Sequence, residues 1–137
     1  MELTEAQRAF LDRPLHAVVA TLRRDGGAVQ SVVWYARDSD ELWLSVAPDS
    51  VKAAHLRRDP RVSVLVIGEH GDAYLALEGT ATATEELTPE DRLALVGRYL
   101  GADGARAFVA RNPLPRPNVR VRIRPTRVVA RNLPAGD

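Results

Sequence analysis

The strongest constraint on the fold is the order in which β-rich segments follow one another along the chain. Runs rich in β-branched and aromatic residues are separated by turn residues, and they lie at 15–23, 28–37, 38–46, 61–68, 72–84 and 118–132. Helical patterns do not alternate with these runs, as they would in a parallel sheet. The order therefore predicts a mainly β protein, a six-stranded antiparallel barrel decorated with helices.

Turn residues and alternation give the runs their local shape. Asp25 and Gly26 favour a tight hairpin between the first two runs, because such turns need positive φ angles. Gly79 interrupts the fifth run and indicates a bulge or a close approach of two backbones. The last run alternates apolar residues with Arg120, Arg122 and Arg124. We interpret these arginines as the solvent face of an edge strand, kept charged against aggregation.

Capping residues mark the helices. Thr4 and Gln7 have the spacing of a capping box, and Ser50 and Thr88 are suitable N-caps. Gly101 favours a helix end, because glycine is common just beyond helix termini. These signals predict helices over 3–13, 50–59, 88–101 and 102–111.

Composition limits the possible functions. The 137 residues are 45% hydrophobic, which suits a single domain over residues 1–137. A net charge of +1, from 19 basic and 18 acidic residues, gives no field that would hold nucleic acid or an anionic membrane. The chain has no cysteine, so disulfides, thiolate catalysis and sulfur-ligated metals are excluded. Redox chemistry would therefore depend on a bound cofactor.

Other segments predict neither a membrane span nor a protein-borne catalytic centre. The first residues are charged and amphipathic, and no apolar run reaches 18 residues, which favours a soluble cytoplasmic protein. His16, His55 and His70 are scattered without the spacing of metal ligands, so no metal site is expected. We find no grouping of Ser, His and Asp that would predict a catalytic side chain.

Lys52 is the only lysine in a chain that otherwise uses arginine. It follows Ser50 at the start of a predicted helix, where free backbone N–H groups favour an anion such as phosphate. The alternative is that Ser50 only stabilises the helix while Lys52 extends into solvent. The spacing alone leaves both interpretations open.

A long central segment resembles a known family. It reads "VVATLRRDGGAVQSVVWYARDSDELWLSVAPDSVKAAHLRRDPRVSVLV" over residues 18–66, with a weaker likeness in "AYLALEGTATAT" and in the closing run. The sequence is similar to the pyridoxamine 5'-phosphate oxidase-like split β-barrel superfamily, and within it to the coenzyme F420-dependent oxidoreductases. This resemblance implies an FMN-binding split-barrel-like fold of Greek-key type. It also implies a homodimer that holds a flavin-like ring in a groove between its subunits.

The resemblance further implies a set of cofactor-binding residues. The phosphate would be held by Ser50 and Lys52, with help from Arg57. Tyr74 and the segment around Asn118 and Arg120 would come from the second subunit. Trp34 is as typical of a core or dimer-interface aromatic as of a ring-binding residue. The residues expected to line the ring are Gln30, Ser31, Val32, Trp34, Ser45, Val46 and Ala47.

The implied function is hydride transfer between reduced coenzyme F420 and an electron-poor small molecule. The cofactor would supply the chemistry and the protein would position it, so no catalytic residue is required. Two alternatives remain within the same fold, namely an FMN-dependent oxidoreductase and a non-catalytic carrier of F420 or flavin. A haem-handling member would need a well-placed axial histidine, and His16, expected to be buried in a strand, is a poor candidate.

Overall fold

The computed structural model describes residues 1–134, apart from the side chain of Thr84, so the end of the predicted 1–137 domain lies outside the described residues. The helices are α1 (Glu5–Leu11), α2 (Val51–Arg58) and α3 (Pro89–Arg111). The strands are β1 (His16–Leu22), β2 (Ala28–Val33), β3 (Ala36–Asp38), β4 (Glu41–Val46), β5 (Arg61–Ile67), β6 (Tyr74–Glu86) and β7 (Val119–Arg131).

All strands belong to one antiparallel sheet with the order β2-β1-β5-β6-β7-β4-β3. The two edge strands, β2 and β3, are consecutive in the chain and are joined only by Trp34 and Tyr35. The sheet must therefore curl until its edges meet at this corner, although no ladder pairs the edges among the described strands. This arrangement confirms an antiparallel split barrel with helices.

The described sheet has seven strands, one more than the six predicted. The predicted run 28–37 breaks at Trp34 and Tyr35 into β2 and β3. Tyr35 is fully buried, and its hydroxyl donates a hydrogen bond to the carbonyl oxygen of Arg13 at 3.1 Å. The aromatic run favours a continuous strand, but burial of Tyr35 at the corner turns the chain from one edge of the sheet to the other.

The core fills the barrel. Inward residues of β5 alternate with exposed ones, and Val62, Val64 and Val66 are buried. Helix α1 covers one end with Phe10 and Leu11. The predicted capping box at its start is present.

Glycines occupy two of the places where the sequence predicted unusual backbone. The ladder between β6 and β7 shifts register between Glu78 and Gly79, and a Cβ on Gly79 would lie 2.6 Å from the carbonyl oxygen of Arg124. The bulge and the close approach of two backbones, both predicted from Gly79, are thus confirmed. In the β1–β2 hairpin Gly26 alone has positive φ, because its N–H closes a turn on the Arg23 carbonyl oxygen at 3.0 Å and only the residue that follows the turn centre is left-handed. The prediction of positive φ at Asp25 is wrong, and its carboxylate accepts a hydrogen bond from the Gly27 backbone N–H at 2.8 Å.

Helix α3 contains the two predicted helices, with a kink at Gly101, whose φ of 76° and ψ of 171° are not helical. Thr88 caps its start and Pro89 opens its first turn, as predicted. A second apolar cluster, comprising Ala36, Trp43, Leu87 and Leu95, packs α3 against the barrel. Among the described helices, none combines the length and the mean hydropathy that a membrane span requires.

The interpretation of β7 as an edge strand is wrong, because β7 lies between β6 and β4. Arg120 does not face solvent. Its side chain is only 11% exposed, its guanidinium lies 4.2 Å from the Trp43 ring centroid, and it pairs with Asp91 at 3.1 Å. Alternation correctly placed the arginines on one face of β7, but it could not show that α3 and β4 cover the beginning of that face.

Candidate functional site

One cleft combines residues from the barrel, from α2 and from α3. We call it the Lys52 cleft, and its volume is about 380 Å³. This volume lies within the range of small-molecule sites, roughly 300–1,000 Å³. The residues that line it are Val32, Val33, Trp34, Ser45, Lys52, Arg92, Leu95, Val96, Phe108, Asn112, Leu114 and Asn118.

Lys52 provides a cation at the N-terminal end of α2. Its side chain is half-buried, and burial lowers the pKa of its ammonium group. Within residues 1–134 this ammonium makes no hydrogen bond or ion pair, and no carboxylate lines the cleft there. A partly desolvated cation without a counter-charge favours an anionic ligand.

The N-terminus of α2 is formed by a Ser50 cap. The Ser50 hydroxyl accepts a hydrogen bond from the Ala53 backbone N–H at 3.1 Å and donates one to the Ala47 carbonyl oxygen at 2.7 Å. Both partners belong to the same chain segment, so Ser50 fixes the loop to the helix. Within the described chain, the backbone N–H groups of Val51 and Lys52 stay available, because a helix leaves its first N–H groups without internal partners.

Arg57 and Asn118 hold the surroundings of Lys52 in place. Arg57 donates a hydrogen bond from Nη1 to the carbonyl oxygen of Pro48 at 3.2 Å, which ties the end of α2 to the loop before it. Asn118 donates from Nδ2 to Ser45 Oγ at 2.8 Å. Asn118 precedes β7 and Ser45 lies on β4, so their hydrogen bond joins two distant segments that both line the cleft.

The cleft brings together part of the predicted site. The predicted cofactor-binding residues that line it are Val32, Trp34, Ser45, Lys52 and Asn118. The structure brings the first four of these side chains together, while their roles towards a cofactor stay predictions. It places Asn118 in the cleft of its own chain, whereas the resemblance implied that this residue reaches the site from the second subunit.

The other predicted residues do not line the Lys52 cleft. On β2, Gln30 is exposed while Ser31 lies on the opposite, half-buried face, because neighbouring side chains alternate. Val46 points into the barrel core, so only its backbone is available from outside. Ala47 is exposed, and Tyr74 begins β6 between Ile67 and Arg131. Ser50 and Arg57 are engaged in local hydrogen bonds, so of the three residues predicted to hold a phosphate only Lys52 has a side chain without such a partner among the described residues.

Sequence reasoning missed the whole α3 wall of the cleft. Trp34 stacks on Tyr99, with ring centroids 4.9 Å apart and ring planes at 12°. The Phe108 ring lies tilted against Trp34, with ring centroids 5.6 Å apart. Arg92 and Asn112 complete the wall, since Arg92 Nη2 donates to the Asn112 carbonyl oxygen at 2.6 Å. One sequence signal could have indicated this wall. Aromatic residues make up only 5% of the chain, two of them lie in the predicted helices of α3, and both contact Trp34.

The histidines take no part in this cleft within residues 1–134. His16 is exposed on β1, so the expectation that it is buried is wrong. His55 is buried on α2, and its Nδ1 lies 2.9 Å from Thr21 Oγ1. His55 therefore ties α2 to β1.

One antiparallel sheet whose two edge strands meet at a corner, but are not paired by a ladder among the described strands, defines a split β-barrel protein. The family follows from the sequence match. A family model described as pyridoxamine 5'-phosphate oxidase matches residues 3–132, and the chain belongs to this family.

Solved structures agree with this assignment. The chain is similar to the conserved hypothetical protein Rv2991 from Mycobacterium tuberculosis, with 30% identity, a TM-score of 0.74, and coverage of 96% of this chain and 86% of that one. It is similar to an F420 reductase, with 25% identity, a TM-score of 0.67, and coverage of 93% and 98%. The haem storage protein HutZ from Vibrio cholerae shares the fold at 16% identity, with a TM-score of 0.69 and coverage of 100% of both chains.

Proposed function

We propose that this protein is a coenzyme F420-dependent oxidoreductase that transfers hydride between the reduced deazaflavin and an electron-poor small molecule. One observation carries the proposal, namely that the unpaired ammonium of Lys52 shares an apolar cleft with the indole of Trp34 among the described residues. An anionic group and a flat aromatic ring are the two recognition elements of a flavin-type nucleotide. The similarity to an F420 reductase supports this choice.

The residues of the cleft fit the phosphate of such a cofactor. Lys52 would form a charge-assisted hydrogen bond with the phosphate, and the free N–H groups at the start of α2 would add donors and the favourable helix dipole. Among the described residues no acidic side chain lines the cleft and opposes this contact.

The same cleft fits a flat ring. Trp34, Leu95 and Val96 provide an apolar wall that would orient the ring and exclude water. Asn118 and Ser45 would supply polar contacts. The bound deazaflavin supplies hydride chemistry, so the protein needs no nucleophile of its own.

The proposal includes a homodimer and a cytoplasmic location. Val32 lines the cleft yet is 70% exposed, and Leu65 on the outer face of β5 is 36% exposed. A second copy would cover such apolar residues. Tyr74 lies away from the Lys52 cleft of its own chain, so its predicted contact with the cofactor requires the partner subunit. Sedimentation equilibrium tests the dimer, and a monomer at micromolar concentration would contradict it.

FMN is the second candidate cofactor, because the matching family model is described as pyridoxamine 5'-phosphate oxidase. FMN also carries a phosphate and a flat ring, so the Lys52 contact would serve it equally. A non-catalytic carrier would use the same contacts without turning over a substrate.

Two measurements separate these functions. Fluorescence titrations of the purified protein with F420, FMN and haem should give tight binding of F420 alone. Rapid mixing with reduced F420 and a quinone, a nitroaromatic compound or an enone should then show accelerated oxidation of the cofactor. Tight binding without acceleration would favour a carrier, and preferential binding of FMN would overturn the choice of cofactor.

A further inference from the structure

A second cleft adjoins the Lys52 cleft. It lies between the start of α3 and the loop 112–118, and we call it the proline-loop cleft. Its volume is about 430 Å³, and much of its wall is apolar, from Leu87, Leu93, Val109, Leu114, Pro115 and Pro117. The two clefts share Arg92, Leu114 and Asn118, so they meet at these residues.

Arg92 has unused donors at this junction. Arg92 is a half-buried residue, and its guanidinium donates one hydrogen bond, in an exposed position, from Nη2 to the Asn112 carbonyl oxygen. A guanidinium carries five N–H donors. In the part of the chain that the structure describes, the remaining N–H groups of Arg92 have no hydrogen bond or ion pair.

Arg92 also carries the free charge of the proline-loop cleft. The other cation on its wall, Arg116, is ion-paired with Asp49. Over residues 1–134 no carboxylate lines this cleft, and the Thr88 hydroxyl is used to cap α3. Within that range the cleft is therefore an apolar space with one unbalanced positive charge.

We propose that the proline-loop cleft binds an apolar organic acid, with the carboxylate on Arg92, as the substrate subsite of the protein. A guanidinium recognises a carboxylate through charge-assisted, bidentate hydrogen bonds, and the apolar wall accepts the rest of the molecule. Because Arg92 lines both clefts, an acid bound there lies next to the Lys52 cleft. Hydride transfer to such an acid rests on the proposed function and needs an electron-poor C=C bond in the molecule, which takes hydride from the reduced cofactor at one carbon and a proton from water at the other. Binding of the acid does not rest on the proposed function.

Calorimetry of the full chain without cofactor tests the subsite, with octanoate and the neutral octanol as probes. Octanoate should bind at least about tenfold more tightly than octanol, since only the acid can use the guanidinium. Arg92→Gln should weaken octanoate roughly tenfold or more and leave octanol unchanged. Arg92→Lys keeps the charge but loses the bidentate geometry, so its affinity should be intermediate. Arg111→Gln makes the same change on α3 outside both clefts and should leave binding unaltered.

The outcomes separate this proposal from the proposed function. Equal affinity for octanoate and octanol, or octanoate binding that Arg92→Gln does not weaken, would overturn the subsite. If Arg92→Gln weakens F420 as much as octanoate, Arg92 belongs to the cofactor site and the proposal is also overturned. If F420 does not bind while octanoate binding still depends on Arg92, the choice of cofactor fails and the subsite stands. Circular dichroism of each variant confirms that the fold is intact, and Arg92→Lys repeats the test should the Gln variant unfold.

Discussion

The indole of Trp34 stacks almost parallel on the phenol ring of Tyr99, 65 residues later in the chain, with ring centroids 4.9 Å apart. The Tyr99 hydroxyl donates to the Leu15 carbonyl oxygen at 3.0 Å and accepts from the Tyr35 backbone N–H at 3.2 Å. Next to it, Arg98 Nε donates to the Tyr35 carbonyl oxygen at 3.0 Å. The first half of α3 is therefore fixed at the corner where the chain passes from edge strand β2 to edge strand β3. This attachment positions the aromatic wall of the Lys52 cleft.

Tyr99→Phe should lower the free energy of unfolding by about 1–2 kcal/mol, because a buried backbone donor and acceptor lose their partner. Tyr99→Leu should cost a further amount of about 0.5–1.5 kcal/mol, since the stacking on Trp34 is also lost. Urea unfolding followed by far-ultraviolet circular dichroism measures both. Equal stability of the wild type and the Phe variant would show that the hydroxyl does not hold the corner.

Binding of F420 should weaken at alkaline pH. Burial lowers the pKa of Lys52 in the free protein, so its ammonium loses the proton at a lower pH than an ordinary lysine. If Lys52 holds the phosphate as proposed, the protonated form binds it, and affinity should therefore fall as the pH rises through this lowered pKa. Fluorescence titrations at increasing pH measure the decline. Lys52→Arg keeps its charge over this range and should give a nearly flat profile; the same decline in that variant would assign the titration to another group.

Arg120→Gln should destabilise the protein by about 1–3 kcal/mol, because it removes the contact of the guanidinium with Trp43 and leaves Asp91 without its partner. Arg124 alternates onto the same face of β7 but is exposed and makes no ion pair among the described residues. Arg124→Gln should therefore change stability by less than about 0.5 kcal/mol. Chemical denaturation of both variants measures the difference. If the two changes cost the same, Arg120 has no special structural role.

Gly79→Ala should destabilise the barrel by about 1–3 kcal/mol, because the new Cβ would lie 2.6 Å from a backbone oxygen that cannot easily move. Gly97 lies inside α3, and a Cβ there would meet only the Ala105 side chain at an ordinary 3.9 Å. Gly97→Ala should stabilise the protein by about 0.5–1 kcal/mol through helix propensity. Thermal unfolding should thus shift in opposite directions for the same substitution. Stabilisation by Gly79→Ala would contradict the close approach of β6 and β7.

Local signals predicted much of the fold. The capping box at Thr4, the caps Ser50 and Thr88 and the bulge at Gly79 all follow from side chains acting on their own neighbourhood. The order of β-rich runs and helical patterns along the chain was enough to exclude a parallel sheet. The corner at Tyr35 was not predictable in this way, because it depends on burial against Arg13 and on contacts with a helix residue that follows 64 positions later.

The candidate site was predictable only in part. Lys52 stands out as the single lysine beside a helix cap. The resemblance to a family added Val32, Trp34, Ser45 and Asn118. Arg92 gave no sequence signal, since it is one arginine among many and reaches the cleft only because α3 packs over the barrel. The same packing covers Arg120, which alternation alone assigned to solvent. Contacts between segments that are distant in sequence decide these positions.

The proposed contact between Lys52 and the phosphate of the cofactor can be tested directly with a pair of ligands. Affinities of the wild type and Lys52→Ala are measured by fluorescence titration for F420 and for the same deazaflavin without its phosphate. We expect the substitution to weaken F420 by about 1.5–3 kcal/mol and to leave the dephosphorylated ligand unchanged. An equal loss for both ligands, or no loss for F420, would contradict it.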